Sequence, residues 1–283
     1  MSDVLFLPQS APRPGLGAFA ERLRRDEPWL YGLSVAMIAA MAPTVFAALA
    51  DDRLFGGVDN WLKPFKFESA LAVYLLTLVF FARFLPAGTT SRRWYRVYIG
   101  VVVAAVVYEM AWIAAAAALG TASHFNTTPQ GIIFYSLAGL GAVTLTTPSA
   151  VYAVLIARNP ASGLPPAMKE AIVLGLALVL PLTLVTAGTM SSMGSHFVGG
   201  TPLDPAGLPF FGWSREVGDL RVSHFFATHA MHAVPVLGLF AARLPQASGR
   251  LTVRLFAALY ALFVAALFVQ ALMGQPVLGG WTA

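Results

Sequence analysis

Three of the chain's five histidines, His224, His229 and His232, fall within nine residues, where an acidic-basic loop gives way to an apolar run. The other two, His124 and His196, sit in the tripeptide Ser-His-Phe, which also contains His224. Imidazole is the commonest protein metal ligand, and carboxylates complete many sites that lack thiolates. On helical arithmetic of about 100° per residue, His224, His229 and His232 share one broad face, with His229 and His232 as neighbours three residues apart. His124, His196, His224 and His229 are the candidate ligands for a Zn, Cu or non-haem Fe ion. Asn126 and Asp219 are candidate supporting partners of the metal and, with Lys66, Glu68 and Arg221, candidate substrate-binding residues. Glu109 is the one acid in the middle of an apolar segment. It lies about 15 Å from the segment end, close to the depth of His232 (about 13 Å), so the two are predicted to pair for proton transfer. An ionisable group at that depth costs at least about 2.5–3.5 kcal/mol unless it is paired or hydrated, and so marks function.

These residues are positioned by a membrane protein. The chain of 283 residues is 58% hydrophobic and 11% charged, against about a quarter charged in soluble domains. Seven apolar segments can be drawn, at 29–50, 65–85, 97–119, 131–157, 171–190, 223–242 and 252–273, each near the roughly 20 residues that cross a hydrocarbon core. Backbone polar groups cannot be left bare in lipid, and segments this long without alternation read as helices. The expected fold is an all-α bundle of seven transmembrane helices, preceded by a cytoplasmic tail over 1–28. Pro148 and Pro181 are expected to kink two of the helices.

Orientation follows from the cations. Arg13, Arg22, Arg24, Arg25, Arg83, Arg92, Arg93, Arg96, Arg158, Lys169, Arg243, Arg250 and Arg254 fall on one side, and Arg53, Lys63, Lys66, Arg215 and Arg221 on the other. The richer side is cytoplasmic, which places the N-terminus inside and the C-terminus outside, in a membrane of the bacterial inner type. All five histidines then lie toward the outer side, beneath a long outer loop at 191–222 that reads as a lid.

A second polar group opens the second segment. Trp61 and Lys63 fit interfacial anchoring, whereas Lys66 and Glu68 reach into the apolar run and join the expected pocket. Arg221 is the expected partner of a substrate carboxylate or phosphate, or of Asp219 in a local ion pair.

Several classes are excluded. With no cysteine there are no disulfides, thiolate ligands or iron–sulfur clusters. A retinal protein needs a lysine deep in a late helix, and the lysines here are Lys63, Lys66 and Lys169. The placement of the cations points to a lipid partner and not to nucleic acid. In helix count and in pairing histidines with acids, the chain resembles the seven-helix zinc hydrolases of the ceramidase and adiponectin-receptor type. That resemblance covers architecture alone, since the late H-x-x-x-H of those proteins is here His229-Ala-Met-His232.

Three readings remain. The first is a metal-dependent membrane enzyme, an oxidoreductase or hydrolase acting on a lipid-like or quinone-like substrate. The second is a haem b electron-transfer subunit using the same histidines as axial ligands. The third is a metal-free, proton-coupled transporter or pH sensor.

Overall fold

The computed structural model describes residues 15–204 and 207–278. Eight α-helices run through them: α1 (Leu16–Asp26), α2 (Pro28–Ala50), α3 (Leu62–Ala82), α4 (Arg93–Leu119), α5 (Pro129–Ala157), α6 (Pro166–Met193), α7 (Leu220–Ala241) and α8 (Gln246–Leu272). Two short antiparallel pairs interrupt them, β1 (Leu54–Phe55) with β2 (Val58–Asp59), and β3 (Phe197–Val198) with β4 (Gly218–Asp219). The molecule is an all-α membrane protein in its make-up, with six helices, α2 to α6 and α8, long and apolar enough to cross a bilayer. The 22-residue α7 has the length, about 33 Å, but its three histidines make it less apolar. It can carry them because it packs against both α6 and α8 and buries much of its surface.

Local chemistry sets the helix ends. Pro28, Pro129 and Pro166 occupy first-turn positions, where a missing N–H costs nothing. Thr128 and Asp219 cap α5 and α7, accepting from the N–H groups of Gly131 and Arg221. Gly120 and Gly194 end α4 and α6 in the left-handed conformation that glycine tolerates best. Both α6 and α8 begin five or six residues before the apolar segments expected there. The extra turns carry charge: Glu170 takes Arg250 at 2.6 Å, and also Arg254 at 2.5 Å from the start of the apolar stretch of α8, joining the two helices at that end. Residues 16–26 of the expected tail form α1, and residues 1–14 of it lie outside the described residues.

Small residues let α6, α7 and α8 approach closely. A Cβ on Gly175 of α6 would lie 2.8 Å from Pro235 Cδ and 2.9 Å from the Ala230 carbonyl. Four helices carry an internal proline, at Pro43, Pro148, Pro181 and Pro235. Large apolar residues such as Leu140, Val185, Leu259 and Leu262 point outward, as a lipid-facing surface requires, while Leu75, Ile99, Leu176 and Met231 fill the interior.

The β1–β2 hairpin, the loop at 120–128, the described parts of the lid loop (194–204 and 207–219) and the end of α8 gather at one end of the bundle. Arg53 donates to the Ala118 carbonyl at 3.0 Å, Phe125 meets His196 ring to ring at 6.2 Å, and Gly199 packs on Gly274. At the other end lie α1 and the loops after α3 and α5, where Asn159 donates to the Phe84 carbonyl at 2.9 Å.

Candidate functional site

The loop after α4 folds back over its own helix. Trp112 of α4 donates its indole N–H to the Ser123 carbonyl at 2.7 Å. Asn126 fixes the turn, donating to the Ala122 carbonyl at 2.8 Å and accepting from the N–H and hydroxyl of Thr128. Gly131 leaves the space that Asn126 fills. Between these ties Phe125 adopts a left-handed backbone, φ 57°, a conformation that costs a non-glycine residue on the order of 1 kcal/mol or more.

The result brings His124 into line with two charges. Its Nδ1 lies 3.1 Å from Lys63 Nζ, and its Nε2 lies 3.5 Å from Glu109 Oε1. An ammonium only donates, so Nδ1 is the acceptor and the ring proton sits on Nε2, 3.5 Å from the carboxyl group. Phe67 and Tyr135 flank the ring, at 5.8 and 5.5 Å. Burial, then the charge on Lys63, pushes the imidazole down to about 3, so it stays neutral. Glu109 is 2% exposed, and its Oε2 is buried without a partner. The expected partnership of Glu109 with His232 is therefore not what forms. Two residues at equal depth on straight helices lost to a loop that turns back on α4.

His196 sits above, in the lid, against Phe125 and Phe197. Burial and the charge of Arg221 push it down to about 4.

The three histidines of α7 go elsewhere. His224 Nδ1 lies 3.1 Å from Thr186 Oγ1 of α6, and that hydroxyl donates to the Leu182 carbonyl at 2.9 Å. His229 donates from Nδ1 to the Phe225 carbonyl at 2.7 Å and stacks on the Phe225 ring. His232 meets Thr77 of α3 through Nε2, and its Nδ1 is buried without a partner. The four candidate ligands thus divide between the mouth (His124, His196) and α7 (His224, His229). Among the described residues no three His, Asp or Glu side chains gather as a metal ion would need.

The remaining candidates have local partners. Asp219 is 1% exposed and holds Arg221, with Nη2 to Oδ2 at 2.6 Å. Arg221 also donates to the Gly212 carbonyl at 2.6 Å, and Lys66 donates to the adjacent Phe211 carbonyl at 3.1 Å. These two cations clasp consecutive peptide groups of the lid, where Phe211 stacks on Trp213. Glu68 faces α2, accepting from Thr44 at 2.7 Å, with Oε2 buried and unpartnered. Asn126 shapes the loop, as described above.

Sequence reasoning missed Lys63 as a site residue by reading it as an anchor. It also missed Thr77, Thr186 and Tyr135. The available signal for Lys63 was the Lys-Pro-x-Lys-x-Glu run entering an apolar segment, too dense in charge for anchoring alone. A groove of about 420 Å³ lined by Pro28, Trp29, Gly32, Leu33, Ala36 and Val103 holds none of the candidate residues. Neither known family models, curated proteins nor solved structures provide a match to this chain.

Proposed function

We propose that the protein is a seven-helix membrane protein of the bacterial inner membrane that couples its activity to protons, as a transporter or pH sensor. Its N-terminus faces the cytoplasm and its histidine-bearing end faces outward, in keeping with the thirteen cations against five.

The observation that carries this reading is the line Lys63–His124–Glu109. An imidazole with one nitrogen accepting from an ammonium and its other, protonated nitrogen 3.5 Å from a carboxylate can pass one proton through once that last gap closes. Lys63 gives a proton to Nδ1, and the Nε2 proton passes to Glu109. The lysine becomes a neutral amine, the glutamate a neutral acid, and the ring changes tautomer. A separated pair of buried charges is exchanged for two neutral groups, each of which a low-dielectric interior tolerates. Glu68 Oε2, Glu109 Oε2, Thr183 Oγ1 and His232 Nδ1 are further buried polar atoms without partners. Polar side chains so placed inside a membrane bundle mark function by default, which favours a working polar interior over a structural one. A metal enzyme or a haem subunit needs imidazole lone pairs free to converge on one centre, whereas the ring nitrogens of His124 face Lys63 and Glu109.

Infrared difference spectroscopy of purified protein across pH tests the reading directly. A protonated carboxyl band that titrates, disappears in Glu109→Gln and shifts in His124→Gln is expected. A wild-type spectrum in which no carboxyl band depends on Glu109 overturns it.

A further inference from the structure

The end of the bundle opposite His124 contains a buried acid of its own. Glu27, between α1 and α2, is 1% exposed. Its Oε2 lies 2.5 Å from the phenol oxygen of Tyr95 on α4, and that oxygen lies 2.6 Å from the phenol of Tyr152 on α5. Each phenol has one proton. Tyr95 donates to Glu27, so Tyr152 donates to Tyr95, and the chain has a single direction, from α5 toward the carboxyl group. Both tyrosines are among the most deeply buried large side chains in the molecule.

This geometry is a poor static clamp. Packing there could use apolar residues at no desolvation cost, yet three polar groups from three elements meet in the core. From α4 and α5 only phenols face Glu27. Charged groups at this end include Arg22 and Asp26 of α1, which lie 4.0 Å apart, and Arg83 at the end of α3, which stacks over Phe80 with its Nη2 buried and unpartnered. Residues 28–50 of α2 contain no charged side chain. No cation neutralises Glu27, and burial raises it above the ordinary carboxyl range, while the Tyr95 hydrogen bond and the N–H groups of Leu30 and Trp29 pull it part of the way down. Leu23 is the one buried residue of α1, so little packing holds that helix beside Glu27.

We propose that Glu27, Tyr95 and Tyr152 form a second proton-binding site, serving the end of the bundle opposite His124 and gated by movement of α1. This rests on the proton-coupled reading for its purpose but not for its test. With Glu27 protonated, α1 stays seated; with Glu27 ionised, the buried charge has no counter-ion and α1 lifts to hydrate it. The sign follows from the raised value. The seated state is fully favoured at pH below the ordinary carboxyl range, and that preference is lost as pH rises through the value of buried Glu27.

Hydrogen–deuterium exchange of the full chain in detergent or lipid nanodiscs, measured over a pH series and corrected for intrinsic exchange, reads this out in residues 16–27. Exchange there is expected to rise several-fold with pH while α5 and α6 stay protected. Glu27→Gln abolishes the rise. Tyr95→Phe, which removes a donor that favours the carboxylate, moves the midpoint to higher pH. The proposal is overturned if Glu27→Gln keeps the wild-type pH dependence, or if Tyr95→Phe leaves the midpoint unmoved. Glu109→Gln serves as the control. If its α1 exchange remains pH-dependent, the Glu27 site stands whatever becomes of the His124 relay.

Discussion

His232 Nε2 lies 2.9 Å from Thr77 Oγ1, and the same hydroxyl lies 2.7 Å from the Val73 carbonyl. A carbonyl only accepts, so the hydroxyl proton belongs to the contact with Val73, and His232 must be the donor to Thr77. The imidazole is thereby held as the Nε2–H tautomer, with a bare lone pair on Nδ1. Thr77→Val removes the acceptor and strands a buried N–H. It should cost about 1–3 kcal/mol in denaturation experiments in micelles. His232→Phe on that background should recover part of the loss. If Thr77→Val proves neutral, the assigned tautomer is wrong.

The two histidines at the mouth make a prediction about acid. His124 is pushed down to about 3 and His196 to about 4, both below the ordinary value near 6.5. The folded protein therefore holds fewer protons at these sites than the unfolded chain between those limits. Stability from this source is complete above about pH 6.5 and declines as pH falls toward 4 and then 3. Nitrogen-15 NMR of labelled histidine should find both rings neutral at pH 6. A ring titrating near 6.5 at either position contradicts the burial described.

Helix approach at Gly175 tolerates no side chain. Gly175→Ala places a methyl 2.8 Å from Pro235 and 2.9 Å from a backbone oxygen, so α6 and α7 must separate. A loss of about 1–3 kcal/mol is expected, and Gly175→Val should be worse. By contrast, a Cβ at Gly188 on the same helix meets nothing within 4 Å, so Gly188→Ala should be harmless or mildly stabilising in the same assay.

The lid depends on two cations. Lys66→Met and Arg221→Met each remove a donor to the adjacent carbonyls of Phe211 and Gly212. Limited proteolysis at Arg215, whose guanidinium is exposed, should accelerate several-fold in either variant. The effect should be greater for Arg221, because its loss also leaves buried Asp219 without its ion partner. Equal cleavage rates in wild type and both variants would mean that the clasp is incidental.

Metal analysis and a visible spectrum of protein purified without chelator separate the proton-coupled reading from its rivals. Substoichiometric metal and no Soret band are the expected result. A stoichiometric transition metal lost in His224→Ala and His229→Ala would instead return the metal-enzyme reading to first place.

Apolar length and the low share of charged residues were enough to read an all-helical membrane chain in the sequence, and the seven segments overlap α2 to α8. Side-chain partnerships were less legible. Depth counted along straight helices could not foresee that Asn126 and Trp112 fold the loop after α4 back on itself, which gives Glu109 to His124. Nor does a one-dimensional charge count distinguish Lys63, which turns inward, from Lys66 three residues later, which reaches up to the lid. Glu68 seemed to belong with Lys66, but neighbours two apart on a helix face different ways, and Glu68 meets Thr44 on α2 instead. The cluster of Glu27 with two tyrosines was invisible for the same reason, since its members lie 68 and 57 residues apart.

The shortness of the His124 relay decides what kind of force can act on it. Its two contacts, 3.1 and 3.5 Å with one ring between them, span less than about a third of a roughly 30 Å hydrocarbon core. A proton moving between Lys63 and Glu109 therefore crosses at most that fraction of the transmembrane field, worth under about 0.8 kcal/mol at 100 mV. A single pH unit is worth about 1.4 kcal/mol per proton. On the proton-coupled reading proposed above, acidity at this end of the bundle, more than voltage across the membrane, sets the state of the site.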